Sequence, residues 1–166
     1  DLLNEIKSLF DYFCTIKEVY LNIEIMANVT NTIVTDKNRL SQILINLLGN
    51  AFKFTFSGGI TLRVEQESLD PVKVKFSVQD TGIGIKKEDQ ERLFKMFGRI
   101  DHQDKNINTQ GIGLGLTISN TLAVLLNPSD TKGIQVQSEP NVGTCFSFAV
   151  QSHDEASLSQ LEDVSL

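Results

Sequence analysis

Residues 72 to 80, VKVKFSVQD, alternate with period two: Val72, Val74, Phe76 and Val78 fall on one side of an extended chain, and Asp80 falls on the same side. A strand that is apolar on one face requires a sheet with one buried face, and a second layer to bury it. The break at Asp80 is a further constraint. A carboxylate turned toward the apolar side needs donors, because burying one without partners costs several kcal/mol. Asp80 therefore either caps the turn TGIGI that follows it or faces a donor on a ligand, in a pocket shaped by Gly82 and Gly84. Thr144 raises the same question, since it lines up with Phe146, Phe148 and Val150.

Around this strand the chain interleaves helical and extended patterns. Leu2, Leu3, Ile6, Leu9, Phe10, Phe13, Ile16 and Val19 recur at steps of three and four, which predicts a helix capped by Asp1. YLNIEIMANV alternates through Leu21, Ile23 and Ile25 and reads as a strand. Asp36 is placed to cap a second helix running to about Thr55, with Leu40, Ile43, Leu44, Leu47, Leu48 and Ala51 as its core stripe. ITLRVEQ and VKVKFSVQD, joined by the polar ESLDP, form a hairpin. KKEDQERLFKMF predicts a short helix, and the polar GRIDHQDKNINTQ a mobile loop. GIGLGL opens a helix that NPSD stops after Leu126, and GIQVQS and TCFSFAV are the last two strands. The pattern divides into one domain over 1–150 and an acidic, serine-containing segment, 151–166, expected to be a linker or disordered tail.

Bulk properties narrow the function classes. The chain of 166 residues is 40% hydrophobic and 22% charged, which suits a globular domain with a core. Its net charge of −6 argues against nucleic acid or an anionic membrane as the main partner. No apolar run approaches the roughly 18 residues that cross a bilayer. Cys14 and Cys145 lack metal or redox spacing and read as buried thiols on core faces.

Two more breaks carry chemistry. On the second helix Asn46, Asn50 and Lys53 share a side, in line with Arg39 and Gln42. A solvated face is the ordinary explanation, yet asparagine is a poor helix-interior residue. Amide oxygens on a fixed helix suit a hard ion such as Mg²⁺ that keeps its remaining positions for phosphate and water, and Lys53 is one turn from them as a point charge. The glycine cluster at 111–115 exposes backbone N–H groups at a helix start, an arrangement that attracts anions. Asp80 reading a base, Asn50 holding a metal and residues 111–115 cradling phosphates make an ATP site. The competing glycine motifs fail: neither TGIGIK nor GIGLGL completes GxGxxG after a strand, and GxxxxGK[ST] does not occur.

These residues carry a resemblance. DKNRLSQILINLLGNAFKFT, DTGIGI, LFKMFGRID, GIGLGLTIS and VGTCFSF are similar, in order from Asp36 to Val150, to the five sequence boxes of sensor histidine kinase catalytic domains, and DLLNEIKSLFDYFCTIKEVYLNIEI to the first helix and strand of that domain in hybrid kinases. The resemblance implies an α+β two-layer sandwich of the Bergerat type, a mixed sheet covered on one face by about three helices, with a mobile ATP lid over about Gly98 to Gln110. It implies that Asn50 coordinates Mg²⁺ with Asn46 beside it, that Lys53 contacts phosphate and that Asp80 accepts the adenine amine, supported by Thr144. Gly82 and Gly84 then shape the adenine pocket. Phe97 and Arg99 meet the phosphates, and Gly111, Gly113, Leu114 and Gly115 form hinge and cradle.

The resemblance further implies an ATP-dependent protein histidine kinase. The γ-phosphoryl goes to a histidine on a dimerisation domain outside this chain, with a receiver domain or response regulator downstream. No nucleic-acid partner and no direct membrane contact are implied, and the setting is cytoplasmic, with any membrane anchor elsewhere in the parent. Hydrolysing relatives place a glutamate where this chain has Asn46, and an amide cannot take a proton at neutral pH, so transfer is favoured over hydrolysis. Neither His102 nor His153 sits in an acceptor motif. A nucleotide-binding module without turnover is the alternative; an ATP-hydrolysing clamp is disfavoured by Asn46. Asn141 stands where the family often has glycine, and asparagine tolerates the positive φ such a turn needs.

Overall fold

A computed structural model describes residues 1–94, 114–153 and 162–166. The alternation at 72–80 becomes β4 (Val72–Asp80), inside a five-stranded sheet with β1 (Tyr20–Ile25), β3 (Gly59–Leu69), β5 (Gln135–Glu139) and β6 (Gly143–Gln151). The strand order is β1-β3-β4-β6-β5. β1 runs parallel to β3, and the other neighbours are antiparallel, so the sheet is mixed. Register aligns one apolar face: Leu62 opposes Val78 and Val64 opposes Phe76, while across β4 and β6 Phe76 opposes Phe148 and Val74 opposes Val150. Phe76 and Phe148 stack with ring centroids 5.4 Å apart. The opposite face is polar, with cross-strand ion pairs Arg63–Glu24 at 2.8 Å and Lys75–Glu65 at 3.3 Å.

The apolar face is covered by α1 (Leu2–Lys17), α2 (Lys37–Phe54) and α4 (Gly115–Leu126), with the short α3 (Lys87–Gln90) near β5. The sequence places each cap: Asp1 accepts from the Asn4 N–H at 3.2 Å and Asp36 from the Arg39 N–H at 2.9 Å. On α2 the buried residues are the six of the expected stripe, Leu40, Ile43, Leu44, Leu47, Leu48 and Ala51. This is the mixed sheet with helices on one face that the sequence predicts.

Three features differ from expectation. Of the helix expected over KKEDQERLFKMF, the described residues are α-helical over Lys87–Gln90 with turns following to residue 94, and residues 95–97 lie outside the described residues. Cys145 sits between the buried Thr144 and Phe146 and therefore faces the polar side, half-exposed, whereas Cys14 is buried as read. A second small sheet pairs β2 (Thr32–Thr35) antiparallel with β7 (Glu162–Ser165), placing Val164 opposite Ile33, both buried. The segment expected to be a tail thus contributes at both ends: Gln151 completes β6, the His153 N–H donates to the Val34 carbonyl at 3.0 Å, and β7 returns to the core. Among the described residues no helix is long and apolar enough to cross a membrane.

Candidate functional site

β4 ends at Asp80, which sits on the core face opposite Ile60 of β3 and Thr144 of β6 and is 6% exposed. Its Oδ1 accepts from the Gly82 N–H at 2.8 Å and from the Thr144 N–H at 3.3 Å. Oδ2 takes no hydrogen bond among the described residues. Burial raises the carboxyl above its ordinary range, and the two N–H donors pull it back in part. Oδ1 thus holds the following turn, which is the capping reading of Asp80, and leaves Oδ2 without a protein donor among the described residues.

The turn after Asp80 is packed too closely for side chains. A Cβ on Gly82 would lie 2.4 Å from the Phe54 carbonyl oxygen, and one on Gly84, whose φ is +67°, would lie 2.0 Å from that of Glu139. Ile83 ties the turn to both neighbours, donating to the Phe54 carbonyl at 3.2 Å and accepting from the Asn141 N–H at 2.8 Å. Asn141 adopts φ 62°, so the glycine usual there is replaced by the residue that best tolerates the same conformation. Thr144 meets Asp80 through its backbone, and its hydroxyl pairs with Ser138 Oγ at 2.9 Å. Ser138, which the sequence reading missed, also accepts from the Ile85 N–H at 2.8 Å and reaches the Gly143 carbonyl at 2.9 Å. Its signal was faint: a serine at the end of a strand has many uses.

On α2, Asn38, Ser41, Gln42, Ile45, Asn46, Gly49 and Asn50 line one open cavity, so the polar stripe faces a groove. Arg39 does not join it; its guanidinium pairs with the cap residue Asp36 at 3.1 Å. Lys53 lies one turn beyond, its ammonium 5.2 Å from the Phe54 ring centroid. Asn46 donates from Nδ2 to Ser119 Oγ on α4 at 2.9 Å, and a Cβ on Gly115 would fall 2.6 Å from Asn46 Oδ1. Asn46 is thereby a tie between α2 and the start of α4. Ser119, 1% exposed, was missed in the sequence because its helix reads as an apolar run. Leu114 is the N-cap of α4, and its own side chain makes no capping hydrogen bond. Phe97, Arg99, Gly111, Gly113 and the expected lid at 98–110 lie outside the described residues.

No group of three or more His, Cys, Asp or Glu side chains able to hold a metal occurs among the described residues. The donors along the groove are neutral amides, which suit a hard cation that draws most of its oxygen ligands from phosphate and water.

Residues 35–154 match the family of histidine kinase-, DNA gyrase B- and HSP90-like ATPases. The chain belongs to this family. Its relatives within it are histidine kinases. It is 37% identical over 150 residues to the signal transduction histidine-protein kinase BarA of Escherichia coli, covering 89% of this chain and 16% of that protein. It is 41% identical over 136 residues to hybrid signal transduction histidine kinase B of Dictyostelium discoideum, covering 81% and 7%. The chain thus spans a small part of the relatives it matches. Among solved structures, full-length ShkA in complex with AMPPNP superposes with a TM-score of 0.75 at 30% identity, over 95% of this chain and 31% of that one. The catalytic domain of histidine kinase ThkA superposes with a TM-score of 0.70 at 26% identity, over 91% and 92%. The fold is that of a histidine kinase catalytic domain, and ATP is the ligand of its family.

Proposed function

We propose that this chain is a cytoplasmic domain of a larger signalling protein, any membrane anchor lying elsewhere in that protein, and that it binds Mg·ATP and transfers the γ-phosphoryl to a histidine on a separate dimerisation domain, from which it passes on to a receiver domain. The observation that carries the reading is Asp80: a buried carboxylate at the end of the apolar face, with Oδ1 used by the protein and Oδ2 open to a donor such as the adenine amine.

Asn50 would hold the metal from the α2 groove and Lys53 would meet phosphate oxygens from the next turn. When bound, Mg²⁺ supplies charge neutralisation at the phosphates. Phe97, Arg99, Gly111, Gly113, Leu114 and Gly115 would close around the phosphates. The N-terminus of α4, whose N-cap Leu114 has no polar side chain, would add N–H groups and the positive end of the helix dipole. Asn46, an amide bonded to Ser119, offers no base to activate water, so the bound nucleotide is kept for transfer.

Calorimetric titration with ATP, with and without Mg²⁺, tests the site. Asp80→Asn should weaken adenine-nucleotide binding by about 10- to 150-fold, the worth of one hydrogen bond to a charged group. Asn50→Ala should remove the Mg²⁺ dependence. Retention of Mg-dependent affinity in both variants would overturn the assignment. Sustained phosphate release without any acceptor domain would overturn the argument from Asn46.

A further inference from the structure

The last carbonyls of a helix have no partner within it, and at the end of α2 every one can be accounted for. The Ala51 carbonyl accepts from the Thr55 N–H at 3.0 Å and the Thr55 hydroxyl at 2.7 Å. Those of Phe52 and Lys53 accept from a single group, the ammonium of Lys17, at 3.3 Å for Lys53. That of Phe54 accepts from the Ile83 N–H, in the turn directly after Gly82 and three residues beyond Asp80. Lys17 is the last residue of α1, and its ammonium lies 4.6 Å from the Phe52 ring centroid and 4.8 Å from that of Phe56. It is fixed from behind, because Glu18 takes the left-handed cap conformation and Val19 N–H bonds the Cys14 carbonyl at 3.0 Å.

We propose that Lys17 is a positioning residue for nucleotide binding: it anchors the last turn of α2, and through the Phe54–Ile83 bond sets the loop that presents Asp80. One flank of that turn is held by α1 and the other holds the adenine turn, so loosening the first frees the second. The inference rests on the assignment of Asp80 to the ATP site. The effect of Lys17 runs through the end of α2 and requires no contact with the nucleotide.

The test compares Lys17→Met, which keeps the apolar stem and loses the donors, with Lys17→Arg, which keeps donors and charge over the rings. ATP affinity of the folded variants is measured by calorimetry, together with hydrogen exchange at the Ile83 and Thr55 amides. Lys17→Met should weaken ATP binding about 5- to 20-fold and speed exchange at both amides, while Lys17→Arg stays within about threefold of wild type. A folded Lys17→Met with wild-type affinity would overturn the inference, since a purely structural role lowers the melting temperature and leaves affinity unchanged. If Lys17→Met does not fold, the wild type decides: the Ile83 and Thr55 amides should exchange through one opening with the same denaturant dependence, and separate openings would overturn it. Wild-type protein that fails to bind ATP, or binding that survives Asp80→Asn, would instead refute the underlying site.

Discussion

At Asp80 the proposed recognition role works against stability within one side chain. Its native carboxyl is raised by burial, so the stability this group contributes is present in full below about pH 4, the ordinary carboxylate value, and is lost as pH rises through the raised native value. An asparagine there keeps an Oδ1 acceptor for the Gly82 and Thr144 N–H groups and removes the buried charge. Asp80→Asn should therefore be at least as stable as wild type at pH 7, with the difference shrinking toward pH 4, while it binds ATP more weakly. Thermal melts across that range check the sign, and a variant less stable than wild type at pH 7 would contradict it. The inward direction of Asp80 was legible because period two leaves a strand residue no choice of face. That Thr144 would reach it through the backbone, and that Ser138 would hold the Thr144 hydroxyl, was not: both depend on the β4–β6 and β5–β6 registers, which are set by packing.

α2 was legible from cap to cap, since one stripe, one aspartate and one stop decide it, and the same helix holds a residue that propensity does not explain. Gly49 lies in its interior and lines the groove, and a Cβ there would meet nothing within 4 Å among the described residues. Packing therefore gives no reason for a residue that costs about 0.5–1 kcal/mol relative to alanine. Gly49→Ala should raise the unfolding free energy of the free protein by that amount, seen as a higher urea midpoint at an unchanged m-value. The opposite sign is expected at the tie between α2 and α4. Asn46→Ala leaves the Ser119 hydroxyl buried without its partner and should cost about 1–3 kcal/mol in the same experiment. If Ser119→Ala in the Asn46→Ala background restores much of that loss, the cost lies in the orphaned hydroxyl.

Across the whole molecule, what the sequence did not reveal is what long-range pairing decides. The hairpin β3–β4 was readable because its turn is local. β2 was not, because TIVT is four residues long and its partner strand among the described residues is β7, more than a hundred residues downstream. That pairing makes residues 162–166 part of the core: Val164 is 1% exposed and opposes Ile33, and the Leu166 N–H donates to the Asn31 carbonyl at 3.2 Å. Removing 162–166 exposes Ile33, deletes a buried valine worth about 1.5–3 kcal/mol and leaves the β2 edge unpaired. The truncated chain should lose at least that much stability in urea titration. β2 leads into the N-terminal end of α2, whereas Asp80 and its turn contact the C-terminal end, about 27 Å away along 18 residues of helix. At a temperature where the truncated chain is folded, its ATP affinity should therefore stay within about twofold of wild type. A large loss of affinity would mean that the small sheet sets the position of α2 along its whole length, and with it the groove.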